Sequence, residues 1–443
     1  MQTSSGAVRS PHNFLTRLVQ ARGRTDELFG IVRSEAMYDR PIPERHRIIF
    51  YLGHVDAFDW NLLAERAFGL RPFQRTFDQL FSFGIDPMDG GLPKDNPSDW
   101  PSRAEIEEYV RRLRQELNQA IEKSLANPAE GHPQMLTMLE VAIEHRLMHA
   151  ETLAYMLHRL PTERKIDGPV EKAKKSNGAK TTLVEIPAGR VTLGLRRVSG
   201  NEFGWDNEFE SHTVDAPKFS IETCNVTNRD FLRFIEAGGY ENRGLWSEEA
   251  WRWKEKERLQ HPAFWRRAGN LWMYRCMFGE IRLRLEWPVY VSHAEATAYA
   301  KWLGRTLPSE AQFHRAAYGT ADSKSERTYP WGSEAPAARH GNFDFHSWDP
   351  SPVGVHTAGA SQFGIQDMVG NGWEWTKTEF APFPGFQPMA FYPGYSAQFF
   401  DGKHYVMKGG SARTAACMLR SSFRNWFQPH YPYVYATFRC VEE

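Results

Sequence analysis

Met135-Leu-Thr-Met-Leu-Glu-Val-Ala-Ile-Glu-His145-Arg-Leu-Met-His149-Ala-Glu151-Thr-Leu-Ala-Tyr-Met-Leu-His158-Arg-Leu160 is the stretch that assigns a fold class to the first part of the chain. Apolar residues recur through it at three- and four-residue spacing, the period of a helix with a buried face. His145 and His149 stand four apart, which puts both imidazoles on one helix face about one turn from each other. That is the geometry a metal ion needs from two ligands of one helix. The plainer assignment is a pair of polar-face residues. Glu151 follows His149 by two positions and points roughly the opposite way, which suits a supporting or surface role. His158 is turned by roughly 180° from His149, so it should not join either.

Working outward, the same period runs through Phe14–Val32, Ile48–Ala67 and Ile106–Ile121, with a turn-rich stretch at Gly84–Pro101. Four helical patterns and one long connection predict a four-helix bundle over residues 1–161. A third metal ligand would have to come from a second helix and face inward. His54 meets that requirement, in Phe50-Tyr-Leu-Gly53-His54. A hydrogen-bonded core histidine is the alternative. Gly53 weakens a helix, and its place there implies a close-packing or functional reason. Three neutral histidines from two helices would bind a divalent ion and leave positions open. Zn²⁺ and Fe²⁺ both fit such a set.

Residues 162–181 are polar and Lys-rich, the composition of a linker. From residue 182 to 443, short β-like runs alternate with Gly, Pro and Asn turns. Helical patterns interrupt them near Asn228–Ala237, His293–Gly304 and Ser309–Tyr318, so this half reads as a loop-rich α+β domain. The whole chain is therefore classed as α plus α+β. Lys+Arg and Asp+Glu both total 54, leaving no long-range pull toward nucleic acid or an anionic membrane. A mean hydropathy of −0.57, with no apolar run near the ~18 residues a span needs, argues against a membrane helix. Four cysteines make no disulfide framework, so the cytoplasm is the expected location. Aromatic residues, at 14%, must be buried or used.

His54, then His145-x3-His149-x-Glu151 in a helical bundle, precede a domain carrying Gly370-Asn-Gly-Trp-Glu-Trp-Thr376. This arrangement resembles the ergothioneine-type sulfoxide synthases, whose N-terminal half is DinB-like. Their C-terminal half has the C-type-lectin-like fold of formylglycine-generating enzyme. The resemblance covers nearly the whole chain. It continues through Val226-Thr-Asn228, Tyr329-Pro-Trp-Gly332, Phe363-Gly-Ile-Gln-Asp367, Lys408-Gly-Gly-Ser411 and Phe423-Arg-Asn-Trp426. It implies Fe(II) held by His54, His145 and His149. It also implies that O₂ is used to join a chalcogen to the C2 carbon of the imidazole of hercynine (Nα-trimethylhistidine). Asn425 and Trp426 match the family's hercynine contacts, a polar one and a cation–π one. A quaternary ammonium cannot donate a hydrogen bond and is best held on an aromatic face. The alternative for Trp426 is a core tryptophan.

Four departures bear on the donor. No arginine lies between Arg75 and Arg103, where γ-glutamylcysteine-using members bind donor carboxylates. The loop instead carries Asp86, Asp89 and Asn96, which suit sugar hydroxyls. Phe427 stands where some members have a donor-contacting Asp. Met148 stands where some have a hercynine-contacting Gln. Phe380 and the stretch Phe83-Gly-Ile-Asp86 supply no phenol where the family has tyrosine; Tyr431, Tyr433 or Tyr435 would be the substitutes. These changes favour the related selenoneine synthases, in which a selenosugar is the donor. A sulfoxide synthase using cysteine or γ-glutamylcysteine is the alternative.

Readings from other classes have less behind them. Formylglycine-generating enzymes carry paired cysteines after their Gly-Gly-Ser, and here that stretch offers only Cys417. A zinc-stabilised, sugar-binding module would need a fourth protein ligand to close the metal site. Ser309-Glu310 and Gly409-Gly410-Ser411 lack the strand–turn–helix context of a hydrolase nucleophile.

Overall fold

The computed structural model describes residues 13–82, 93–126, 134–170, 175–176, 178–197, 203–322 and 325–443. The chain divides into two compact units, Met1–Gly168 and Pro169–Glu443.

The first unit is helical: α1 (Phe14–Ile31), α2 (Ile48–Phe68), the short α3 (Arg75–Leu80), α4 (Arg103–Ala126) and α5 (Met135–Arg159). α1 packs on α5, and α2 packs on both α4 and α5. The four long patterns of the sequence are these four long helices. α2 and α5 form the interior. From Ile48 to Ala57 every residue of α2 is buried, and α5 is buried from Met138 to Leu147. A helix covered on all sides must carry its polar groups inward, and such groups need partners or a function. α2 ends at Gly69, whose φ of 63° is the left-handed conformation that closes helices. After α5, Thr162–Arg164 makes a 3₁₀ turn and Lys165 bridges back to Val32.

The second unit opens with β1 (Leu183–Ile186), β2 (Gly189–Leu193), β3 (His212–Ala216) and β4 (Phe219–Glu222). Then follow α6 (Asn228–Glu236), α7 (Glu248–Glu257), β5 (Trp265–Ala268), β6 (Leu271–Cys276), β7 (Gly279–Arg282), α8 (His293–Trp302) and α9 (Glu310–Tyr318). It closes with β8 (Trp373–Glu379), β9 (Tyr405–Lys408), β10 (Asn425–Phe427), β11 (Ala436–Thr437) and β12 (Val441–Glu442). The sheets are small, ordered β1-β4-β12, β10-β9-β8-β11, β2-β3 and β5-β6-β7. α6, α8 and α9 are the three expected helices. The sequence reading did not anticipate α7, because its Glu- and Lys-rich composition hides any apolar period. Its Ser247 cap, whose hydroxyl accepts the Ala250 N–H, was the available sign. Phe219, Ile221, Phe313, Ile365, Met368 and Val441 make one core cluster. Arg439 grips Glu374 at 2.6 and 2.7 Å, with both side chains fully buried.

Candidate metal centre

α2 and α5 bring His54, His145 and His149 together, all buried. The Nε2 of His149 lies 3.2 Å from Nε2 of His54 and 3.1 Å from Nε2 of His145. Their ligand atoms all fall within 4.8 Å of one another, and no other such group of His, Cys, Asp or Glu occurs among the described residues.

The tautomer of His54 follows from one contact. The Nδ1–H of His54 donates to the Phe81 carbonyl at 2.7 Å, so the His54 Nε2 carries a lone pair. If His149 donated its Nε2–H to that lone pair, it would have nothing left to accept from His145. The two short N···N contacts therefore cannot both be hydrogen bonds between neutral rings. Charging the rings is disfavoured: burial lowers His54 to about 4, and His145 and His149 well below the usual imidazole value. Neutral imidazoles whose ring nitrogens converge without a full set of mutual hydrogen bonds are what a divalent cation can hold. Separations of 3.1 and 3.2 Å are within the reach of nitrogens that would each lie ~2.0–2.1 Å from one shared ion. The residues fit a metal.

The surroundings hold the rings still. Phe58 stacks on His145 at 3.4 Å between ring centroids, and Phe50 stacks on His54 at 4.8 Å. Gly53 has its reason here, since a Cβ at that position would meet three Phe81 ring carbons at 2.6 Å. Sequence reasoning singled out Gly53 but missed the Phe81 carbonyl that it admits. It also missed Tyr51, one turn before His54, whose buried ring lies 5.9 Å from that of His149. Arg45 was missed too; it is buried, and its charge reaches His149.

Glu151 is buried rather than on the surface and stands outside the ligand group. Met148 is half-buried on α5. Asp86 and Asp89 lie outside the described residues. Asn96 starts a 3₁₀ turn, its N–H donating to Asp99 Oδ2 at 2.7 Å. The connection is not far from positive charge: Arg47 Nε bonds Asp95 at 2.8 Å, and Arg40 also pairs with Asp95.

In the second unit, Asn425, Trp426 and Phe427 form the edge strand β10, all half-buried. Alternation along a strand sends Trp426 to the face opposite Asn425 and Phe427. The ring contacts agree. Trp426 stacks on Phe380 (4.2 Å, 7°) with Tyr395 and Phe399 alongside, whereas Phe427 stacks on Tyr431. The structure thus gives these consecutive residues separate surroundings. Behind them, Arg424 lies over Phe380 and Phe383 and bonds Glu310 at 3.1 Å.

Residues 17–153 match the DinB superfamily, and residues 169–443 match the sulfatase-modifying factor enzyme 1-like domain. A hercynine oxygenase of Mycolicibacterium thermoresistibile is 31% identical over 98% of this chain and 96% of its own. The chain belongs to the hercynine oxygenase family. Its members are oxidative enzymes, this chain among them. The hercynine oxygenase of Mycobacterium tuberculosis is 40% identical across 53% of this chain and 55% of that relative. Ergothioneine biosynthesis protein 1 of Neurospora crassa is 26% identical across 93% of this chain and 55% of its own. These relatives are named for hercynine oxygenation and ergothioneine biosynthesis, which backs the ergothioneine alternative better than the selenoneine reading. No described helix is long and apolar enough to cross a membrane.

Proposed function

We propose that this protein is a nonheme iron enzyme that uses O₂ to attach a thiol donor to C2 of the hercynine imidazole, forming a sulfoxide. The observation that carries the reading is the convergence of three buried imidazoles, with His149 Nε2 3.1 and 3.2 Å from the other two Nε2 atoms and all three ligand atoms within 4.8 Å of one another. It occurs in a chain that aligns end to end with a hercynine oxygenase. In the proposed balance, the imidazole C–H and the donor S–H bonds are lost. The C–S and S–O bonds form, and O₂ is reduced, one oxygen going to sulfur and the other to water.

Fe(II) on the three histidines would supply the redox capacity for O₂ and favour the ionised thiol. The chain's own residues do the rest. His54 is kept in its metal-binding tautomer by the Phe81 carbonyl. Phe50 and Phe58 wall two of the imidazoles with apolar rings. Trp426 with Tyr395 and Phe399 offers aromatic surface suited to a trimethylammonium group. On the opposite face of the strand from the Trp426 ring, Asn425 accepts the Trp426 backbone N–H through its Oδ1 at 2.9 Å, leaving its NH₂ as a donor to a carboxylate. Met148 and Phe427 are read as apolar contacts, Asp86 and Asp89 as donor contacts. The charge of buried Arg45 acts on His149, so positive charge near the three histidines does not depend on the Arg-free stretch 76–102.

That Arg-free stretch still favours a second reading, in which a selenosugar replaces the thiol. The test is anaerobic Fe(II) reconstitution, then aerobic turnover of hercynine with cysteine, γ-glutamylcysteine or a selenosugar, read by mass spectrometry. A sulfoxide adduct is the expected product. A selenium adduct formed only with the selenosugar would replace the thiol reading, and no adduct with any donor would overturn both.

A further inference from the structure

Arg146 follows His145 on α5 and is fully buried. Its Nη2 lies 2.8 Å from the Val55 carbonyl, 2.9 Å from Asp56 Oδ1 and 2.6 Å from Asp59 Oδ2, all on α2. Its Nη1 reaches Thr25 Oγ1 on α1 at 3.3 Å. Val55 and Asp56 are the two residues that follow His54. One guanidinium therefore joins the ligand-bearing helices immediately beside the ligands on each.

The anchor is itself anchored. Arg114 of α4 binds both oxygens of Asp56 at 2.9 Å and Asp26 of α1 at 2.7 and 2.8 Å. Arg22 of α1 stands 3.9 Å from both Asp56 and Asp59. Three cations and three carboxylates thus tie all four long helices together around α2.

Stability alone is a poor explanation for such a network. Well-packed apolar residues often stabilise a core as well as or better than a buried ion network, whereas ionic groups can specify register. Register matters here because metal–nitrogen distances tolerate only ~0.2 Å. A small slide of α5 along α2 would carry His145 and His149 away from His54. The planar fork of arginine also suits several acceptors on successive turns, which a lysine point charge does not.

We propose that Arg146 is a positioning residue that sets the register of His145 and His149 against His54. This rests on the metal reading above. The experiment titrates Co(II) into apo full-length wild type, Arg146→Lys, Asp59→Asn and His149→Ala, following the visible ligand-field spectrum, with circular dichroism as the folding control. Asp59→Asn keeps side-chain shape and leaves the Asp56 contacts in place, so it stays informative if Arg146→Lys does not fold. The proposal expects folded Arg146→Lys and Asp59→Asn proteins to bind Co(II) ~10–100-fold more weakly, the usual cost of losing support behind metal ligands, with altered spectra. A network that only stabilises would lower the melting temperature yet leave the affinity and spectrum of the folded protein unchanged. Folded Asp59→Asn with wild-type affinity and spectrum overturns the proposal. Wild type that binds no Co(II), or His149→Ala that binds it equally well, overturns the metal reading itself and the positioning role with it.

Discussion

The Nδ1 nitrogen of His54 lies 2.7 Å from the carbonyl oxygen of Phe81. A carbonyl can only accept, so this contact decides which His54 nitrogen faces the other two histidines. Helix α2 presents the ring, the residue after α3 supplies the acceptor, and Gly53 makes room for the Phe81 side chain between them.

Gly53→Ala therefore sets two effects against each other. Alanine favours a helix interior by roughly 0.5–1 kcal/mol, but its Cβ would meet the buried Phe81 ring at 2.6 Å. Displacing Phe81 should cost metal affinity on the order of tenfold while helix content is retained. Calorimetric metal titration alongside circular dichroism checks this; undiminished affinity would show that the carbonyl does not orient His54.

Stripping metal with a chelator should lower the melting temperature of the helical unit. A ligand present at 100 times its Kd and bound only to the folded state adds about 2.7 kcal/mol. Adding Fe(II) back should restore the transition in wild type. His149→Ala should show no such recovery, because Nε2 of His149 is the atom that both other ligands approach.

Trp426→Ala should weaken hercynine binding by about 0.5–2 kcal/mol, the range of a cation–π contact, with iron content unchanged. Trp426→Phe should recover part of the loss. Equilibrium binding of hercynine to the anaerobic Fe(II) protein measures both. Unchanged affinity in the alanine variant would leave Trp426 as a packing partner of Phe380.

His293 gives a pH signature independent of the metal. It stacks on Tyr405 at 3.9 Å and donates from Nε2 to the Thr376 carbonyl at 3.1 Å. Burial lowers it to about 3 from an ordinary 6.5. Between those values the unfolded chain binds the proton and the folded chain does not. Stability therefore rises with pH across that window, and the contribution is lost as pH falls from 6.5 toward 3. The slope for one group is at most about 1.4 kcal/mol per pH unit. His293→Phe should flatten the acid limb of the denaturation profile; identical profiles for the two proteins would refute the assignment.

The sequence by itself determined what depends on local pattern. The 3.6-residue period of α1, α2, α4 and α5 was legible, and so was the shared face of His145 and His149. The oddity of a glycine beside His54 could be seen, though its cause could not. α7 escaped because charge, rather than an apolar stripe, covers most of its surface. Asn425, Trp426 and Phe427 were legible as a group, but only the pairing of β10 with β9 sent Trp426 to one face and its neighbours to the other. Tertiary structure alone decided that Phe81 lends its carbonyl to His54, that Phe58 stacks on His145, and that Arg146 reaches Asp56 and Asp59. The physical reason is range. Helical periodicity is written over a few residues, while the approach of His54 to His149 depends on two helices packing across 95 positions of chain.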